Sequence, residues 1–181
     1  MCIGGLARQR MPFIRRLDRV TPLPKPLVYV ETSVVGSLVG RLSRDMPTLT
    51  RQQITRAWWP IAVNAYDLRI SVVVLEEAGR GDPEAASERL AALQGLPVLD
   101  TTAESLDIAK DLIAANLLPV GSDADAAHIA VAATNGMDFL VTWNFKHLNN
   151  IHAKLRIERA LAARGLRCPM LCSPEEMGVP D

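Results

Sequence analysis

The chain has 181 residues, 49% of them hydrophobic and 22% charged, with a formal net charge of zero. That length and apolar content suit one globular domain with a sizeable core, and the zero balance argues against a broadly basic nucleic-acid binder. No apolar run approaches the roughly 20 residues of a membrane span and no secretory leader pattern opens the chain, so a soluble, cytoplasmic protein with no membrane contact is expected.

Cys2, Cys168 and Cys172 are an odd number, and no further cysteine pair or histidine cluster completes a zinc pattern around them. The charge is unevenly spread. Residues 1–26 carry Arg8, Arg10, Arg15, Arg16, Arg19 and Lys25 against Asp18, a charge of +5, so the remainder carries −5. The basic stretch ends in the proline-broken "TPLPKP" and reads as an unstructured N-terminal extension, leaving residues 27–181 as a single domain.

Leu27–Val30 is a short β-branched and aromatic run, the composition of a strand buried on both faces. It ends on a carboxylate, Glu31, followed by Thr32 and Ser33, either of which suits a helix N-cap. A helix is predicted after Pro47 and Thr48, with Ile54, Trp58, Ile61 and Ala65 as its buried stripe; Trp58 and Trp59 read as packing residues. "LRISVVVLEEAGRGDPEAASERLAALQGLPVLD" reads as a strand, a Ser71 cap, a helix, a stop at Gly81, a second helix after Asp82-Pro83 and a strand around Leu96–Leu99. Thr102 opens another helix. Ser122 or Asp123 caps an alanine-rich helix stopped at Gly136, and "MDFLVTWNFKHL" is a buried strand running into polar residues. Cys168 falls where a last short strand is expected. Short strands alternating with helices predict an α/β fold with a mainly parallel sheet and right-handed crossovers.

Four acidic or amide positions stand where strands end or helices begin: Glu31, Glu76-Glu77, Asp123/Asp125 and Asn144. In a parallel sheet the carboxyl ends of the strands share one edge, so residues distant in sequence converge there. Converging carboxylates repel one another unless protonated or neutralised, and oxygen donors without thiolates select a hard cation, Mg²⁺ or Mn²⁺. On the alanine-rich helix Asp125 flanks the apolar face of Ala126, Ile129, Ala130 and Ala133, whereas Asp123 lies nearly opposite it, so Asp125 is the better site residue. His128 reads as a hydrogen-bonded structural group rather than a ligand. Spacing does not separate Glu76 from Glu77.

"VYVETSVVGSL", "SVVVLEEAGRGDPEAASERL", "DADAAHIAVAATNGMDFLVTWNFKHL" and "CPMLCSPEEM", in this order, resemble the PIN-domain proteins found as VapC-like toxins of bacterial toxin–antitoxin pairs. The resemblance implies a three-layer α/β/α sandwich and a Mg²⁺ or Mn²⁺ site built from Glu31, Glu77 in preference to Glu76, and Asp125. It implies a metal-dependent endoribonuclease, with Thr32 and Asn144 orienting water or phosphate, an antitoxin protein as partner, and a homodimer. Asn144 stands where many PIN nucleases have Asp, and Glu31 where Asp is usual. Those two departures support the alternative of a catalytically weak PIN-fold binding protein. A Rossmann-type nucleotide site is disfavoured, because "ETSVVGSLVG" lacks the G-x-G-x-x-G turn.

Overall fold

The computed structural model describes residues 24–119 and 121–178. The basic stretch 1–26 falls outside them except for Pro24, Lys25 and Pro26. Five parallel strands, β1 (Leu27–Val30), β2 (Asp67–Ser71), β3 (Val98–Leu99), β4 (Phe139–Val141) and β5 (Met170–Cys172), form one sheet in the order β3-β2-β1-β4-β5. Helices α1 (Thr32–Val39), α2 (Met46–Ala65), α3 (Val72–Ala78), α4 (Pro83–Ala92), α5 (Ala103–Ala114), α6 (Asp123–Thr134), α7 (Ile151–Ala163) and α8 (Pro174–Met177) are the connections. This is the α/β architecture with a parallel central sheet that the alternating pattern predicts.

The strand order reverses at β1, which pairs with β2 on one side and β4 on the other. Ligands in open parallel sheets collect at such a switch point, outside the carboxyl ends of the strands. Val28, Tyr29 and Val30 are fully buried, as the two-sided apolar run requires. The register Val30↔Val141↔Cys172 lines up three strand ends, and the ladder runs one step further. Glu31 N–H donates to Val141 O at 3.0 Å and Thr142 N–H to Cys172 O at 2.8 Å, which sets Glu31 and Thr142 side by side at the carboxyl edge.

Helix starts follow local chemistry. The Asp45, Asp82, Thr102 and Asn150 side chains accept from backbone N–H groups in the first turns of α2, α4, α5 and α7. Ser173 and Glu176 form a reciprocal capping box on α8. Ser71 and Ser122 occupy N-cap positions without side-chain capping bonds; both hydroxyls are used elsewhere, as described below. Gly136, just past α6, has the positive φ that its predicted stop role requires, whereas α3 already ends at Ala78 with Gly79 as its C-cap, and Gly81, also of positive φ, serves the turn before α4.

Two expectations are corrected, and a third, the buried α6 face of Ala126, Ile129, Ala130 and Ala133, holds but is extended. In α2 the buried line is Gln52, Thr55, Trp58 and Ala62, while Ile54, Ile61 and Ala65 flank it half-buried. Polar residues hold that line because they have specific tasks: Gln52 accepts from Ser43 N–H and donates to Arg41 O, and Thr55 accepts from the Trp143 indole N–H at 2.8 Å. In α6 burial extends from Ala126 through His128–Ala133 rather than along one stripe, since the helix lies between the sheet and α5. The last strand starts at Met170, two residues beyond Cys168, and the thiol inside it is Cys172.

Candidate metal centre

Glu31 sits at the N-cap of α1 with extended backbone and no capping bond. Its carboxylate turns towards the sheet edge, where Oε2 accepts from Thr142 Oγ1 at 2.7 Å and from Ser33 Oγ in a very short contact. The group is 6% exposed. Two hydroxyl donors are what make a buried carboxylate tolerable at that depth. Ser33 and Thr142 are themselves fixed: Trp143 N–H donates to Ser33 Oγ and Asn144 N–H to Thr142 Oγ1, each at 2.9 Å.

Glu77, in the last turn of α3, points inward, whereas Glu76 is exposed. Which of the two faces inward is thus set by the side of α3 that packs on the sheet. Glu77 Oε2 accepts from Thr32 Oγ1 at 2.6 Å and lies 2.9 Å from His128 Nε2. The His128 hydrogen bond is the largest influence holding the Glu77 carboxyl below its ordinary range, with Thr32 acting in the same direction against the opposing effect of burial. Glu77 is therefore an anion at neutral pH.

One ligand atom each from Glu31, Glu77 and His128 lie within 4.8 Å of one another. Each carboxylate uses Oε2 for its hydrogen bonds, and no hydrogen bond among the described residues engages either Oε1. Two carboxylates with an uncommitted oxygen apiece, close together and largely shielded from water, fit a hard divalent cation.

Asp125 lies on the first turn of α6, one turn before His128, and is not part of that triad. Its Oδ1 accepts from Asn144 Nδ2 at 2.9 Å and its Oδ2 is 2.8 Å from His147 Nδ1. It reaches the triad through hydrogen bonds, from Asn144 to Thr142 and thence to Glu31. Asp123 is exposed. Asn144 is engaged at both ends of its amide: Oδ1 accepts from His147 N–H at 3.1 Å and one Nδ2 hydrogen goes to Asp125. Thr32 and Asn144 thus spend their hydrogen bonds on Glu77 and Asp125.

Several residues at this site carry no mark in the sequence that singles them out. His147 is brought back to Asp125 by the turn that Asn144 closes with its side chain, and Ser122 Oγ lies 3.3 Å from the same imidazole nitrogen. Thr142 follows from register alone, as the residue opposite Glu31. Ser33 is legible only as a polar residue in the first turn after Glu31. Behind the triad, Tyr29 Oη lies 2.7 Å from His128 Nδ1 and 2.6 Å from Ser71 Oγ, all three groups buried.

A cavity of about 960 Å³ opens at the opposite edge of the sheet among Leu27, Tyr66, Phe139 and Met170. Of its lining charges Arg167 pairs with Asp138 at 2.5 Å and Asp67 with Arg69 at 2.7 Å, while Lys25 adds a lone cation, so this cleft brings together no cluster of acids like that of Glu31 and Glu77.

No family model and no curated protein matches the chain. Among solved structures, that of VapBC2 from Rickettsia felis bound to a DNA fragment from their promoter matches with a TM-score of 0.54 and 16% identity, over 81% of this chain and 98% of that one. The fold is PIN-like. At that identity the likeness establishes architecture, and the PIN-like chain's chemistry rests on its own residues.

Proposed function

We propose that this chain is a divalent-metal-dependent endoribonuclease and the toxin of a toxin–antitoxin pair. The observation that carries the reading is the meeting of Glu31 and Glu77, 46 residues apart in sequence, within 4.8 Å at the switch point of a PIN-like sheet. Glu31 and Glu77 would hold Mg²⁺ or Mn²⁺ through their uncommitted oxygens, with Asp125 as the third acid of the set. When bound, the ion supplies charge neutralisation at the phosphodiester and acidifies a water for attack on phosphorus. Thr32 and Ser33 keep the two glutamates from turning outward. Asn144 fixes Asp125 and retains a second amide hydrogen for water or phosphate. The acidic body gives RNA no general electrostatic attraction, which makes the cation necessary for phosphate approach. The neighbour is VapBC2 bound to DNA, which supports a protein partner for this chain as well; a homodimer is part of the same reading.

The alternative, a PIN-fold binding protein with little catalysis, is favoured by one observation. Both oxygens of Asp125 are taken by Asn144 and His147, and Asn144 adds no charge to the site. Incubation of the purified chain with a panel of structured RNAs and Mn²⁺ separates the two. Cleavage abolished both by EDTA and by Asp125→Asn is expected of the nuclease; intact RNA under every condition, from protein shown to be folded, refutes it in favour of the binder. Light scattering tests the homodimer, for which a monomer mass is the contrary result.

A further inference from the structure

The triad includes a histidine that offers a nitrogen to any cation, yet the groups behind His128 give it a different task. Ser71 Oγ, Tyr29 Oη, His128 Nδ1 and Nε2, and Glu77 Oε2 form one continuous chain of contacts of 2.6, 2.7 and 2.9 Å, and Ser71, Tyr29 and His128 are each no more than 1% exposed. The direction of such a chain is set by its least ambiguous member. Glu77 is a carboxylate and only accepts, so the nitrogen 2.9 Å away carries the hydrogen. With Nε2 protonated, neutral imidazole has its lone pair on Nδ1, where it accepts from the Tyr29 hydroxyl; Tyr29 in turn accepts from Ser71. Protonated imidazolium would also carry hydrogen on Nε2. In either charge state no lone pair at Nε2 faces the cation pocket.

We infer that His128 is a positioning residue, held by Tyr29 and Ser71 with its Nε2–H on Glu77, and that it keeps the pocket an all-oxygen site instead of ligating the metal. The Nε2–H holds Glu77 Oε2 and leaves Oε1 without a hydrogen bond, and the nitrogen also lies 3.9 Å from Glu31 Oε1, so the donor offsets charge between the two acids. Carboxylates oriented by a donor outside the coordination sphere lose about 10- to 100-fold in metal affinity when that donor is removed. An oxygen-only pocket prefers Mg²⁺ and Mn²⁺, whereas an exposed imidazole nitrogen would add affinity for Zn²⁺. This rests on the metal reading above, whereas the metal-free spectrum of the His128 ring reports the positioning independently of it.

The test is the ¹⁵N and ¹H spectrum of the His128 ring in the full chain, with and without Mg²⁺, read beside Mn²⁺ titrations of variants. Expected are a protonated Nε2 that stays protonated when Mg²⁺ is added, Mn²⁺ binding weakened roughly 10-fold or more in His128→Ala, and recovery to within about threefold in His128→Gln, whose amide N–H can still donate to Glu77. Tyr29→Phe, which keeps the ring and its packing, is expected to give a mixture of ring tautomers. A bare Nε2, or one that loses its hydrogen on Mg²⁺ addition, overturns the inference, as does a His128→Gln variant that binds no better than His128→Ala. A Tyr29→Phe spectrum identical to wild type overturns the role given to Tyr29. Failure of the wild type to bind either ion while Nε2 remains protonated removes the metal reading and leaves the positioning of Glu77 by His128 standing.

Discussion

Thr142 is fully buried, and its hydroxyl does two jobs at once, donating to Glu31 Oε2 at 2.7 Å and accepting from Asn144 N–H at 2.9 Å. Thr142→Val keeps the volume and removes both bonds. The carboxylate loses a charge-assisted bond worth about 1.5 to 3 kcal/mol, and a partly buried backbone N–H is orphaned at a cost of about 1 to 2 kcal/mol, so a loss near 3 kcal/mol is expected. Thr142→Ser keeps both bonds and deletes one methyl, for which about 1 kcal/mol is expected. Packing alone predicts the opposite order, because valine fills the site and serine leaves a gap. Urea unfolding compares the two, with equal m-values required so that the midpoint shift reports stability. Serine less damaging than valine by about 2 kcal/mol is the expected result. A valine variant as stable as the serine one would mean that Glu31 is not held by this hydroxyl, and the account of how the carboxylate is kept in the pocket would fall.

Three further outcomes follow from the same network. The Glu77 carboxyl is held below its ordinary 4.5 by His128 first and Thr32 second, so its stabilisation is complete above the unfolded value and fades as pH falls through the lower folded one; the stability gap between wild type and Glu77→Gln in urea should be flat from about pH 8 to about pH 5.5 and narrow below about pH 4, and a gap that widens in acid would contradict this. Asn144→Asp brings a second carboxylate against Asp125 in place of a donor, so unfolding should show about 2 kcal/mol lost without metal and recovery with Mn²⁺ according to its affinity; indifference to Mn²⁺ would argue that Asp125 lies outside any metal's reach. Burial pushes the Cys172 thiol up to about 12 and the Cys168 thiol up to about 11, so native protein treated with iodoacetamide near pH 8 should carry almost no adduct at either by peptide mass spectrometry, and rapid labelling would show that this edge of the sheet opens.

The parallel sheet was legible because Leu27–Val30 and the strand before Thr142 are short apolar runs that end abruptly on polar residues, whereas the strand order that places the switch point at β1 was not. Glu31 was legible for the same reason, being the first polar residue after a buried strand. Glu77 was not separable from Glu76 by spacing, since neighbouring helical residues differ by about 100° and only the packing of α3 decides which faces inward. The α2 stripe was misplaced because hydrophobicity does not reveal a buried polar residue that has a partner: Thr55 is inside to receive the Trp143 indole, a residue 88 positions away. His147 was invisible for a related reason, as its approach to Asp125 depends on a side-chain turn at Asn144 that composition does not encode.

The three acids at this edge are not equivalent, and the difference lies in what each carboxylate has left to offer. Glu31 and Glu77 each satisfy one oxygen within the protein and leave the other without a hydrogen bond, and with the two side chains this close an added cation is favoured because like charges repel without one. Asp125 satisfies both oxygens, through an amide that adds no charge and an imidazole that can add a positive one. Had Asp stood at 144, the same four positions would hold four anions and no donor to Asp125, and folding would lean more heavily on bound metal. With Asn there, the Asp125 side of the pocket is stable on its own account, and the demand for a cation is concentrated on the pair Glu31 and Glu77. Charge-neutral substitution of either glutamate should therefore relieve repulsion and weaken ion binding together, whereas substitution of Asp125 should first release Asn144 and His147.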